Sequence, residues 1–239
     1  MPAGTPAVAK APREVGYGCR VRLFDCRKAK ERESGIKAAA RAIRTGKLVV
    51  IPTDTVYGIA VDAFSVPGVA SLLKAKGRGR DMATPVLIGS RRALDGIAPN
   101  IPQSARELTE AFWPGPLTVI VPFVSTLSWD LGDTDGTVAV RMPLHPLALE
   151  LLRETGPLAV SSANLTGVAP APNAANAKEQ LGNSVSVYLE AGESEDDVPS
   201  TIVDCVEDPP QVLREGALTT EQIRAIVPST LGPVDHEKS

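Results

Sequence analysis

The chain has 239 residues, 43% of them apolar, enough for a sizeable core in one large domain or two small ones. A formal net charge of -3, from 25 basic and 28 acidic residues, excludes attachment to nucleic acid or an anionic membrane by the average field, and leaves room only for a local basic patch. Cys19, Cys26 and Cys205 are too few and too oddly counted for a disulfide framework, two histidines offer no zinc set, and no apolar run approaches the ~20 residues of a membrane span; together these predict a cytoplasmic protein with no metal site of its own.

Residues 1–17, rich in Ala, Pro and Gly, and residues 229–239, polar and charged, read as tails around one folded unit over residues 18–228. Ala38–Arg44 suits a helix closed by Gly46, and it leads into a strand at Leu48–Ile51. Val66–Lys76 reads as a second helix, Pro85–Ile88 as a strand, and Pro102–Phe112 as a helix opening with proline. Strands follow at Leu117–Val121 and Thr137–Val140, then a helix over Pro146–Glu154 and a strand at Pro157–Val160. Late strands are expected at Val185–Leu189, Thr201–Cys205 and Gln211–Leu213, and a closing helix over Thr219–Ile226 capped by Thr219 or Thr220. The acidic stretch Glu193–Asp197 reads as an exposed loop. Helix and strand mixed along the whole core predict an α/β class: a single domain around one twisted, mixed β-sheet.

Two polar stretches follow apolar runs. Pro52-Thr-Asp-Thr-Val-Tyr-Gly58 comes after Leu48–Ile51, and Ser161-Ser-Ala-Asn164 after Pro157–Val160, the position at which open α/β sheets collect ligands. Between them Lys74, Lys76, Arg78 and Arg80 alternate with Ala75, Gly77 and Gly79, so the helix cannot continue past Lys76. That segment is either an anion-binding loop or a solvated surface loop; lysine and arginine next to glycine suit phosphate or carboxylate oxygens. Ser161, Ser162 and Asn164 could orient a phosphate or sugar, or serve as ordinary turn and capping groups. Trp113, in Phe112-Trp-Pro-Gly-Pro116, is expected to pack in the core. Arg141 stands at a strand end and needs an anionic partner there, either a ligand or a protein carboxylate. Neither a phosphate-binding P-loop nor a Rossmann glycine fingerprint is present.

In chain order, Pro52–Gly58, Lys76-Gly-Arg78, Trp113-Pro-Gly-Pro-Leu-Thr118, Val140-Arg-Met-Pro143, Ser161-Ser-Ala-Asn-Leu-Thr-Gly167, Ser200-Thr-Ile-Val-Asp204 and Arg214-Glu-Gly216 resemble the YrdC-like threonylcarbamoyladenylate synthases over roughly Arg32 to Val227. The resemblance implies a single α/β domain with helices around a concave basic cavity. It also implies an enzyme, a nucleotidyltransferase that joins L-threonine, bicarbonate and ATP into L-threonylcarbamoyladenylate and pyrophosphate. A partner transferase complex would then carry the threonylcarbamoyl group to N6 of adenosine 37 in tRNA, with weak RNA contact at most from this chain and no membrane involved.

By motif position, the resemblance assigns Thr53, Arg141, Val160 and Ser200 to L-threonine. It assigns Lys76, Arg78, Arg80, Thr137, Ser162, Asn164 and Arg214 to ATP, with Lys76 and Arg78 in the catalytic role of neutralising the leaving pyrophosphate alongside Mg2+ carried by the nucleotide. Three departures mark this chain: Gly79 stands where many members have proline, the loop to Pro85 is longer, and Gly89 replaces a histidine found in some members. They sustain the alternative of a paralogue with another acceptor. A further alternative is an RNA-binding or ribosome-assembly module built on Lys74–Arg80 with Arg91 and Arg92; the low aromatic content, 4%, offers little base stacking to such a module.

Overall fold

The computed structural model describes residues 21–124, 126–194 and 198–233. The expected N-terminal tail, Cys19, His236 and most of the acidic stretch lie outside them. Ten strands form one mixed sheet: β1 (Arg22–Asp25), β2 (Val49–Ile51), β3 (Gly58–Asp62), β4 (Val86–Leu87), β5 (Leu117–Pro122), β6 (Thr137–Arg141), β7 (Leu158–Ser162), β8 (Val187–Glu190), β9 (Thr201–Asp204) and β10 (Gln211–Arg214). Their order across the sheet is β1-β8-β2-β3-β7-β4-β6-β5-β9-β10. Seven α-helices, α1 (Ala29–Arg44), α2 (Val66–Lys76), α3 (Arg92–Ile97), α4 (Gln103–Phe112), α5 (Pro146–Thr155), α6 (Ala174–Leu181) and α7 (Thr220–Ile226), and one 3-10 turn at Gly182–Ser184 complete the described architecture.

Side chains on a strand alternate between the two faces of the sheet, and here the faces differ in their cover. One face carries Val50, Ile59, Val61, Val119, Val121, Val138, Val140 and Val203, sealed by α2, α3, α4, α6 and α7 into the larger core. The other face is covered over β1, β8, β2, β3 and β7 by α1 and α5, which press Ile36, Ala39, Ile43, Leu147 and Leu151 onto Val49, Ile51, Ala60, Leu158 and Val187. Neither helix covers the rest of that face. There the strands present Thr118, Arg141 and Ile202 in place of the valines of the opposite side, and this half becomes a concave cleft.

The local expectations hold where the chain carries a clear stop or cap. Helix α2 ends at Lys76 because Gly77 adopts the left-handed conformation (φ 66) that closes a helix. Helix α7 opens on a reciprocal capping box between Thr219 and Gln222. Four elements are additions to the sequence reading: β1, β3, α3 and α6. Helix α1 starts nine residues before Ala38, at Ala29, because its polar first turns pair their charges along the surface while Ile36, Ala39, Ala40 and Ile43 continue one buried stripe. The boundary at residue 229 is also corrected. Thr230 is buried, and Leu231 forms a bridge beside Gln211 at the edge of β10, so the chain stays on the fold past Ser229.

Candidate functional site

The six residues between β2 and β3 form a hairpin loop that carries Thr53, Asp54 and Thr55. Strand β3 pairs antiparallel with β7 so that Gly58 lies opposite Ser162, which sets the two polar stretches side by side. A Cβ at Gly58 would stand 2.6 Å from Val160 Cγ1, so this approach requires glycine. The resulting cleft has a volume of about 340 Å³. Its walls bring together Thr53, Arg78, Arg141, Val160, Ser162, Ser200 and Arg214, all expected as site residues.

Arg141, at the end of β6, is 6% exposed and is held on three sides. Its Nη2 donates to Asp54 Oδ1 at 2.6 Å, Nη1 to Thr55 Oγ1 at 2.8 Å and Nε to Gly115 O at 3.0 Å. The anionic partner that its position demands is thus a protein carboxylate. Thr53 Oγ1 donates to Val56 O at 2.7 Å and accepts from Thr55 N at 3.2 Å, with the two threonine hydroxyls 3.1 Å apart. With the Thr53 proton spent on Val56, the hydroxyl bonds run in one direction, from Arg141 through Thr55 and Thr53 to the Val56 carbonyl.

The opposite wall repeats this logic with Arg214. Its Nε and Nη2 donate to Ser200 O at 3.1 and 2.7 Å, and Ser200 Oγ lies 2.8 Å from Thr118 Oγ1. Gly216 makes that wall possible, since a Cβ there would collide with the carbonyl oxygen of Pro199. Burial pushes both guanidinium groups down from their ordinary values; Asp54 counters this for Arg141, and the Arg214 charge adds to it. Two cations that disfavour each other across a cleft, only one of them paired with a carboxylate, make a site for an anion.

The basic segment divides. Arg78 reaches the cleft, with Nη1 on Ser161 Oγ at 3.0 Å. Lys76 does not line it. Its side chain is 1% exposed beneath the Ser162–Asn164 turn, where Nζ donates to Ser162 O at 2.5 Å and also bonds Asn164 O, with Ser162 Oγ at 3.2 Å and Asn164 Oδ1 at 3.1 Å. Burial, reinforced by the Arg78 charge, pushes its pKa down to about 7, against the pull of these four oxygens. Asn164 is likewise behind the wall, its Nδ2 donating to Val168 O at 2.6 Å. These two residues shape the turn from behind the cleft wall.

Arg80 and Thr137 lie outside this cleft. Arg80 forks onto Asp130 at 2.7 and 2.9 Å, with Asp133 at 3.5 Å, and lines a separate groove against α2. Thr137 donates to Thr134 O at 2.7 Å in the turn before β6 and stands outside the cleft. Gly89 faces α5, where a Cβ would sit 3.0 Å from Leu152 Cβ, so its missing side chain serves helix packing. Arg91 bonds the carbonyls of Glu110 and Trp113, so Lys76, Arg80 and Arg91 of the strip considered for RNA bond the protein itself.

Trp113 is 2% exposed and donates Nε1–H to Leu117 O at 2.7 Å, which is the packing role expected of it. Tyr57 is structural too. Its hydroxyl lies 2.6 Å from Gly192 O and 3.2 Å from Glu190 Oε1, and accepts from Ala191 N at 3.0 Å, bolting the hairpin loop to the end of β8. Tyr57→Phe is expected to cost about 1–3 kcal/mol by leaving these groups unmatched, and to leave substrate affinities unchanged. Thermal melting alongside ligand titration measures both. Thr118 is a cleft residue that the sequence reading misses, although it sits inside a quoted motif; the usable signal is period-two alternation with Ile120.

The family model Sua5_yciO_yrdC, described as "Telomere recombination", matches residues 41–216. A Mycobacterium tuberculosis (strain H37Rv) protein named "Putative threonylcarbamoyl-AMP synthase" is 54% identical over 204 residues, covering 85% of this chain and 94% of its own length. The solved structure of a doubly substituted P. abyssi Sua5 superposes with a TM-score of 0.83 at 35% identity, and P. abyssi Sua5 complexed with L-threonine with 0.79 at 34%. Both cover 89% of this chain and 62% of the P. abyssi chain, which extends beyond the shared fold. With the family model matching residues 41–216 and a relative 54% identical over 204 residues, the chain belongs to the Sua5/YciO/YrdC family.

Proposed function

We propose that this chain is a threonylcarbamoyl-AMP synthase, an enzyme that makes L-threonylcarbamoyladenylate and pyrophosphate from L-threonine, bicarbonate and ATP in the cytoplasm. The observation that carries the reading is the cleft, where Arg78, Arg141 and Arg214 converge on one concave surface while Asp54 pairs with Arg141 from behind it. Relatives bearing the synthase name, and the threonine-bound P. abyssi relative, support the choice of reaction. The free thiols Cys26 and Cys205, both buried, agree with a reducing compartment, and no described helix is long and apolar enough to cross a membrane.

In this reading the Arg141 side of the cleft, with Thr53, Val160 and Ser200, takes the amino acid. Arg78, Ser162 and Arg214 take the nucleotide phosphates, supported from behind by Lys76 and Asn164. The threonine amine adds to the carbon of bicarbonate and water is lost, giving a carbamate. A carbamate oxygen then attacks the α-phosphorus of ATP, and the bond to the β-phosphate breaks with pyrophosphate as leaving group. The arginines hold the reactants in line and offset the charge of the departing pyrophosphate. Magnesium would arrive as part of the nucleotide substrate, where it would neutralise phosphate charge. The product would supply a transferase complex that modifies adenosine 37 of tRNA.

The test is pyrophosphate release from ATP and magnesium with L-threonine and bicarbonate omitted in turn, and with serine in place of threonine. Release is expected to require both substrates and to favour threonine. Release independent of either would overturn the reading.

A further inference from the structure

The Asp54–Arg141 pair is the most enclosed ion pair of the described structure, with side chains 11% and 7% exposed. Asp54 stands in the hairpin loop and Arg141 at the end of β6, so the pair ties one wall of the cleft to the sheet. Oδ1 accepts from Arg141, and Oδ2 is buried with no hydrogen-bond partner. A buried carboxylate that engages one guanidinium and nothing else is placed to hold that guanidinium.

Guanidinium carries five N–H groups. On Arg141 three are taken, one each by Gly115 O, Thr55 Oγ1 and Asp54 Oδ1. That leaves one N–H on each terminal nitrogen, the number that a carboxylate accepts from an arginine fork. Arg141 itself lines the cleft, whereas Asp54 does not.

We propose that Asp54 is a positioning residue for substrate binding, fixing Arg141 so that its two remaining terminal N–H groups receive the carboxylate of the amino-acid substrate. The proposal rests on the synthase reading for the identity of that substrate. Asp54 touches no substrate; it acts through Arg141. Thr55, which accepts from Nη1, is its partner in setting the plane of the fork. The nucleotide end of the cleft, held by Arg78, Ser162 and Arg214, is built without Asp54.

The experiment is calorimetric titration of full-length wild type, Asp54→Ala and Asp54→Asn with L-threonine and, separately, with Mg-ATP, beside thermal melts. Asp54→Ala is expected to weaken threonine binding about 10-fold or more with ATP binding within about twofold, because one charge-assisted contact to the fork is lost. Asp54→Asn keeps an oxygen for Nη2 and is expected to recover most of that loss, which a purely structural role would not produce. If Asp54→Ala does not fold, Asp54→Glu replaces it: the extra methylene displaces the fork, and threonine binding alone is expected to fall. Unchanged threonine affinity in the alanine or glutamate variant overturns the proposal, as does equal loss of both ligands. A wild type that binds ATP and not threonine overturns the synthase reading and the proposal with it.

Discussion

Lys76→Met is expected to lower kcat/KM for ATP by about 100-fold, the scale of displacing a positioning group of the cleft wall by about 1 Å. The substitution leaves Ser162 O and Asn164 O, two carbonyls of the turn behind the cleft wall, without the donor that gathers them. The turn that presents Ser162 to the cleft then loosens. Lys76→Arg is not expected to rescue, since a planar fork cannot satisfy four oxygens arranged around a compact ammonium. The pH dependence has a definite sign. With its pKa pushed down to about 7 by burial and the Arg78 charge, Lys76 gives up its proton more readily than an ordinary lysine when the cleft is empty. Phosphate arriving beside Arg78 favours the charged form and draws a proton back on. ATP binding should therefore take up protons at pH 8 and weaken as pH rises through 7. Calorimetry in buffers of different ionisation enthalpy reads this uptake, and Lys76→Met should abolish it.

What the sequence makes legible here follows from how local each cause is. The stop at Gly77 and the cap at Thr219 are decided within a few residues, and both are readable from the chain. Trp113 in a proline-rich turn, and Arg141 at a strand end in need of an anion, are nearly as local. Strand β3 is hidden because Gly58 looks like the end of a loop, and only the close approach of Val160 on β7 explains a glycine opening a strand. Arg80 shows the larger limit. Its charge and spacing suit a phosphate as well as those of Arg78, and the choice between them is made by Asp130, fifty positions away, on a loop whose path no local pattern reveals. For Lys76 the residue is legible and its geometry is not: a strand-end turn folded over the ammonium converts a cleft cation into the support of a cleft wall.

Arg141→Met is expected to lose threonine binding and, independently, about 3–5 kcal/mol of stability, because the Asp54 carboxylate stays buried with no charge beside it. A loss of activity in this variant is therefore ambiguous unless the fold is followed too. The double variant Arg141→Met with Asp54→Asn separates the two effects. Removing both charges relieves the orphaned carboxylate, so most of the lost stability should return in denaturant melts, while threonine saturation should not. Recovery of both would mean that Arg141 serves only the fold and that the amino acid is held elsewhere on the cleft. Recovery of neither would mean that the hairpin loop depends on Arg141 through Thr55 and Gly115 more than through Asp54, since those two contacts are the ones the double variant cannot restore.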